Sequence, residues 1–144
     1  MIVRTFVALL LAGAALRAQQ PELRVDALGP SPYTVSAGAG VVVPFGYYAR
    51  GSADFSAGAR RVAGSYVNEY RGDVLVRFLF DPFAQERWGL SIGGGLSVRR
   101  VTYLALVADL EGPAVLGMRP AVQAGVSGGW RAGVVLRRAV PDRR

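Results

Sequence analysis

The sequence predicts an all-β chain folded as an antiparallel up-and-down β-barrel of about eight strands. Three observations carry this. From Tyr33 onward apolar residues recur at every second position over long stretches. Glycine reaches 19 of 144 residues, Ala and Val are frequent, and no apolar rhythm of helical period occurs. The connections between the periodic stretches differ in length by parity, which an up-and-down sheet turns into two unlike ends.

Residues 1–18 read as a secretory signal peptide. Arg4 precedes an apolar run from Phe6 to Leu16, and small residues then give way to polar "QQPE". The run is too short to span a membrane comfortably as a helix. With no cysteine there is no lipoprotein anchor. Removing Arg4 and Arg17 lowers the net charge from +7 to +5. Residues 19–32 read as a short N-terminal segment, 33–138 as the barrel and 139–144 as a C-terminal tail.

The strands follow in order, because period two places alternate side chains on opposite faces. "YTVSAGAGVVVPF" puts Tyr33, Val35, Ala37, Ala39, Val41, Val43 and Phe45 on one face. Residues 47–56 and 60–70 read as two less regular strands. "DVLVRFLF" aligns Val74, Val76, Phe78 and Phe80, with Arg77 among leucines opposite. "WGLSIGGGLSV" aligns Trp88, Leu90, Ile92, Gly94 and Leu96 against Ser91, Gly93, Gly95 and Ser97. "YLALVADLE", "PAVQAGVS" and "WRAGVVLRR" complete the set. The connections then fall near 44–46, 57–59, 71–73, 81–87, 100–102, 112–118 and 128–129. The odd-numbered ones are tight, and the fourth and sixth are the longest. An even strand count is expected to leave both termini at the short-turn end.

Alternation alone does not say which face points outward. Three features favour apolar-out. Charges of both signs sit at mid-strand on the polar face, Arg50, Asp54, Arg77, Asp109 and Arg137, and a narrow lumen would pair them in one network with Glu69, Arg99, Glu111 and Arg131. The same face carries Gly38, Gly40, Gly93, Gly95, Gly125 and Gly133, which weaken a strand but make room in a packed lumen. Long arginines from opposite strands are expected to lie over them. Aromatic residues gather at strand ends as an interfacial girdle: Tyr33, Phe45, Tyr47, Tyr70, Phe80, Trp88, Tyr103 and Trp130.

Composition narrows the chemistry. The chain has no cysteine, no histidine and no lysine; all 17 basic residues are arginine. Disulfides, thiolate or imidazole metal ligation, His-based triads and Schiff-base chemistry are excluded. The Gly93–Gly95 run lacks the lysine and Ser/Thr of a phosphate loop and the strand-to-helix setting of a dinucleotide loop. Asp109 and Glu111 share a face near a strand end, where pairing with Arg77 or Arg99 is the expected role rather than hydrolysis. "RGD" at 71–73 matches an integrin-binding tripeptide and reads as a chance match in a tight turn. The arginines are scattered, with no basic run or aromatic-interleaved motif for nucleic acid. No catalytic, cofactor-binding or metal site is predicted, and the chain is read as non-enzymatic.

On strand number, loop parity, girdle placement and glycine-rich strands such as "SAGAGVVV" and "LSIGGGLSV", the stretch 33–138 resembles the small eight-stranded outer-membrane β-barrels of the OmpX and OmpA membrane-domain type. The resemblance implies a monomer in the bacterial outer membrane, surrounded by outer-membrane lipid and inserted by the barrel-assembly machinery. It implies a structural or interaction role, with partners met at the long-loop end and the lumen closed. The chain departs from that pattern at its C-terminus, where no aromatic follows Trp130 and Pro141 stops the last strand. The alternative is an exported soluble β-barrel, periplasmic or secreted, binding a small apolar ligand inside.

Overall fold

The structure, a computed structural model, describes residues 19–30, 33–83 and 87–139. The signal peptide expected at 1–18 and all but the first residue of the expected tail lie outside them. Eight strands form one closed antiparallel up-and-down barrel: β1 Gln20–Gly29, β2 Thr34–Phe45, β3 Ala49–Val62, β4 Ser65–Leu79, β5 Gly89–Val98, β6 Thr102–Glu111, β7 Met118–Val126 and β8 Trp130–Arg138. Each pairs with the next, and β1 closes the ring on β8 from Glu22↔Arg137 to Gly29↔Trp130.

The strand count agrees with the sequence reading only because two differences cancel. Gln20–Gly29 is a strand rather than an N-terminal segment. The three strands expected between 47 and 80 are two longer ones. The expected turns at 57–59 and 71–73 lie inside β3 and β4, and the chain turns instead at Ala63 and Gly64. Both turn residues have positive φ, 48° and 87°, the signature of a two-residue hairpin whose twist matches its strands. Alanine rarely occupies such a position, so the local sequence does not announce the turn.

The near end of the barrel holds residues 46–48, 80–83, 87–88 and 112–117; the far end holds 30, 33, 63–64, 99–101 and 127–129. Each strand crosses once, so with eight strands the even-numbered connections share an end with both termini. The Ala139 N–H donates to the Gly117 carbonyl at 2.9 Å, which fixes the residue after β8 beside the 112–117 connection. The expectation of termini at the short-turn end is therefore corrected: they lie with the longer connections. The far end carries its own projection. β4 pairs with β5 only from Gly72↔Val98 onward, and β3 pairs with β2 only as far as Arg60↔Thr34. The β3–β4 hairpin extends beyond the ring, with residues 61–68 exposed.

Closure settles the faces. Val25, Val74, Leu90, Leu104, Leu106 and Val134 point outward and are exposed, while their neighbours Arg24, Asp73, Ser91, Ala105 and Val135 are buried inside. Among the described residues the exposed charged side chains are Arg61, Asp81, Arg87, Arg100 and Arg138, all in connections or at strand ends. The outer wall between those limits is apolar, alanine or glycine.

The glycine triplet lies in mid-β5, opposite Arg77, Val76 and Leu75 of β4. A Cβ on Gly93 would stand 2.8 Å from Arg77 Cγ and 2.9 Å from Arg77 Cα. One on Gly95 would stand 2.9 Å from Leu75 Cα and strike the Val74 carbonyl oxygen. These glycines do make room, but for the adjacent strand rather than for arginines reaching across the lumen. Gly94 faces outward, where an added Cβ would meet Leu106 Cδ2 at 3.2 Å, the movable end of a side chain. Gly95→Leu is expected to destabilise by about 1–3 kcal/mol through overpacking, with Gly93→Leu similar and Gly94→Leu mild. Thermal unfolding of the three variants checks this order. A ranking with Gly94→Leu worst would contradict the face assignment.

Candidate functional site

The interior is the part of the molecule where chemistry-bearing side chains converge. Seven carboxylates, Glu22, Asp26, Asp54, Glu69, Asp73, Asp109 and Glu111, are buried with six arginines, Arg24, Arg50, Arg71, Arg77, Arg131 and Arg137. Period two puts them there: every one occupies an inward position of its strand. Small apolar groups, Leu75, Ala105 and Val107, line the β4–β6 wall. The long side chains therefore have volume to cross in a ring otherwise just wide enough for its own side chains.

The network is layered along the barrel axis. Towards the near end, Arg137 of β8 donates from Nε to Glu22 at 2.6 Å, from Nη1 to Glu111 at 2.7 Å and from Nη2 to Asp109 at 2.7 Å. It thus ties β8 to its neighbour β1 and to β6 two strands away. Arg50 and Arg119 also reach Glu111, the latter at 3.6 Å. Arg77 lies 3.1 Å from Asp109 and donates to the Ser52 hydroxyl at 2.8 Å. In the middle, Arg24 meets Asp26 at 2.9 Å and Asp54 at 2.6 Å and donates to the Gln123 side-chain oxygen. The Gln123 amide donates in turn to Asp109 at 2.6 Å, linking the two layers. Towards the far end, Arg71 pairs with Asp73 at 3.0 Å and with Asp26, while Arg131 lies 3.0 Å from Asp73.

At the far mouth the pattern changes. Thr34 donates its hydroxyl to Glu69 at 2.8 Å, and Arg60 stands 3.9 Å from the same carboxylate. Arg99 donates to the Ser127 carbonyl and packs its guanidinium 4.6 Å above the Tyr103 ring. These groups surround a vestibule of about 290 Å³.

No family model matches the chain, and no curated protein is similar to it at a significant level.

Of the nine charges expected in the lumen, eight are buried there: Arg50, Asp54, Glu69, Arg77, Asp109, Glu111, Arg131 and Arg137. The ninth, Arg99, is only half-buried and sits at the far rim, because it follows the last residue of β5. Asp109 takes Arg77 and Arg137 as partners, and Glu111 takes Arg50, Arg119 and Arg137; Arg99 reaches neither. The sequence reading missed Glu22, Arg24 and Asp26, which lie in the unrecognised β1, and Arg71 and Asp73, which it placed in a turn. A repeated signal was available. Arg-x-Asp occurs at 24–26 and at 71–73, two residues apart on one face, and both pairs bond internally. The Arg-Gly-Asp tripeptide is thus part of the interior, with Arg71 and Asp73 buried away from any partner protein.

The expected girdle divides between the two ends. Phe45, Tyr47, Phe80 and Trp88 are exposed at the near end; Tyr33, Tyr70 and Trp130 are exposed towards the far end. Tyr33 and Trp130 meet edge to face at 6.1 Å, and Tyr70 stacks on Phe55 at 6.0 Å. Tyr103 is the exception: it occupies an inward position at the far mouth. Phe83, also a strand-end aromatic by sequence, and Tyr48, not expected in the girdle, join it beside Tyr47.

Every buried carboxylate has an arginine nitrogen within 4 Å. Such pairing engages the carboxylates with guanidinium donors from neighbouring and opposite strands. Among the described residues no group of three or more acidic side chains is arranged to hold a metal ion.

Proposed function

We propose that the chain is a non-enzymatic bacterial outer-membrane β-barrel, monomeric, with a structural or interaction role and a closed lumen. The observation that carries this is the inverted distribution of polarity. Six arginines and seven carboxylates are sealed inside, while the exposed wall presents Leu, Val, Ile and Phe on all sides. Soluble proteins rarely expose apolar patches beyond a few hundred Å². A lipid-facing barrel wall requires one. The ten residues of β5 or β6, at about 3.4 Å each and tilted by about 40°, match the roughly 25 Å apolar band of such barrels. Aromatic side chains stand at both margins, where an amphipathic ring meets headgroups. The alternative, a soluble barrel with an apolar ligand inside, has against it an interior occupied by paired charges.

Topology bears on which surface a partner would meet. In barrels of the resembled type both termini remain periplasmic. The far end then faces outward, and the projecting β3–β4 hairpin replaces 80–88 and 112–117 as the surface offered to partners. The test of location is fractionation of cells making the full chain. It is expected to remain with membranes through high-salt and carbonate washes; release into either wash overturns the reading.

A closed lumen has its own expected result. The ion pairs run from Arg50 and Glu111 near one end to Arg131 and Asp73 near the other. Opening a path would separate buried pairs, at a cost of several kcal/mol per exposed ion. The refolded chain in planar bilayers should give no conductance steps of porin size. Stable, voltage-independent steps would replace the scaffold reading with a transporter.

A further inference from the structure

The far-end vestibule is electrostatically unlike the interior beneath it. Setting Glu69 aside, six buried carboxylates face six buried arginines, so the plug below is neutral by itself. The vestibule walls then carry Arg60, Arg99 and Arg100 against the single Glu69. Glu69 already accepts from Thr34 and has Arg60 at 3.9 Å. The surplus of positive charge therefore resides on Arg99 and Arg100.

Arg99 is held ready rather than consumed. One Nη donates to the Ser127 carbonyl and the guanidinium plane rests on Tyr103, which fixes its orientation. Its Nε is buried and has no hydrogen-bond partner. Glycine shapes the wall beside it: at Gly128, φ is +66° and an added Cβ would strike the Tyr103 ring.

We propose that this vestibule binds a phosphate-bearing anion, with Arg99 and Arg100 as its principal donors and Arg60 closing the cage. A guanidinium fork matches two phosphate oxygens at once, and arginines from separate elements can share one dianion. A volume of about 290 Å³ leaves room beyond the phosphate for the sugar or glycerol that bears it. The site belongs to the barrel itself and does not depend on where the barrel resides, so it goes beyond the proposed function without resting on it.

Two sources share this chemistry, a lipid headgroup and free phosphate, and a titration separates them. The full chain, refolded in maltoside micelles, is titrated with inorganic phosphate and, separately, with dihexanoyl phosphatidic acid, followed by phosphorus NMR. Saturable binding is expected. Arg99→Gln and Arg100→Gln should each raise Kd at least tenfold, while Arg138→Gln at the near end leaves it within twofold. Arg100 is exposed in the 99–101 turn, so its variant tests the site even where Arg99→Gln disturbs folding. Phosphatidic acid binding tenfold tighter than phosphate supports a lipid headgroup; equal affinities support the free ion. Binding that does not saturate, an Arg100→Gln variant equal to wild type, or an Arg138→Gln loss as large as that of Arg100→Gln would overturn the proposal, the last by showing general attraction to a basic chain.

Discussion

Replacing Arg137 by methionine is expected to lower the stability of the folded barrel by about 3–5 kcal/mol, the cost of breaking a buried ion pair from one side. Arg137 is 2% exposed and its three donors each hold a different carboxylate, Glu22, Asp109 and Glu111. Methionine keeps much of the volume and removes the charge, so the effect reads electrostatics and hydrogen bonding rather than a cavity. The three carboxylates would not be wholly abandoned. Glu22 retains Arg77 at 3.8 Å, Asp109 retains Arg77 at 3.1 Å, and Glu111 retains Arg50 and Arg119. The lumen nevertheless gains one uncompensated negative charge. Arg77→Ala should cost less than Arg137→Met, because Arg137 continues to hold both Glu22 and Asp109 directly. Urea unfolding midpoints in phospholipid vesicles measure both. A shift below about 1 kcal/mol for Arg137→Met, or a larger one for Arg77→Ala, would show that the network is not organised around Arg137.

The alternation that defines β2 and β5 to β8 was legible because each has an apolar or small-residue face of three or more positions, from Val122, Ala124 and Val126 in β7 to the longer run of β2. β1 was not, for a physical reason. "ELRVD" alternates as cleanly as any strand, but its polar face carries Glu22, Arg24 and Asp26 in succession. Consecutive charges read as a solvated segment until a lumen exists to receive them. The β3–β4 region misled in a related way. Gly58 and the Gly72 of Arg-Gly-Asp look like turn residues, yet both are in mid-strand. At Gly58 an added Cβ would come within 2.6 Å of Ser36 Cα, so the glycine serves close cross-strand approach. The true turn, at Ala63 and Gly64, lacks the Asn-Gly or Gly-Gly signal that its geometry favours.

Misplacing these strands explains most of what was missed in the interior. The five charges not foreseen all lie in β1 or in the stretch of β4 read as a turn. Conversely, Arg99 was assigned to the network by extending β5 past Val98, where its inward parity no longer leads into the lumen but to the rim. Whether the polar face was inside was not contained in alternation at all. It follows from closure, since a ring has one small surface and one large one, and the glycines and paired charges occupy the small one.

The second large effect should come from the opposite face. Leu106→Arg is expected to destabilise the barrel in a lipid bilayer by about 2–4 kcal/mol, the range for an arginine on the lipid face near the midplane. Leu106 is 54% exposed and sits in mid-β6, level with Gly94 on one side and Val126 on the other. Among the described residues no ionic partner stands on the outer wall beside it, and its distance from both strand ends limits how far an arginine could reach towards water. Leu116 provides the reference: it is 98% exposed in the 112–117 connection, and Leu116→Arg should change stability by no more than about 0.5 kcal/mol. Ala105, one residue away and fully buried, should respond to size instead, with Ala105→Leu overpacking the wall of Leu75 and Val107 by about 1–3 kcal/mol. The comparison separates the two environments of the outer wall by the size of the effect. In a barrel surrounded by water, an exposed leucine replaced by arginine loses little and can gain solubility, so Leu106→Arg and Leu116→Arg would be equally well tolerated. In a barrel surrounded by lipid, only the first meets hydrocarbon. Equal unfolding midpoints for these two variants in vesicles would therefore remove the lipid from the outer wall, while leaving the closed lumen and its ion pairs as they are.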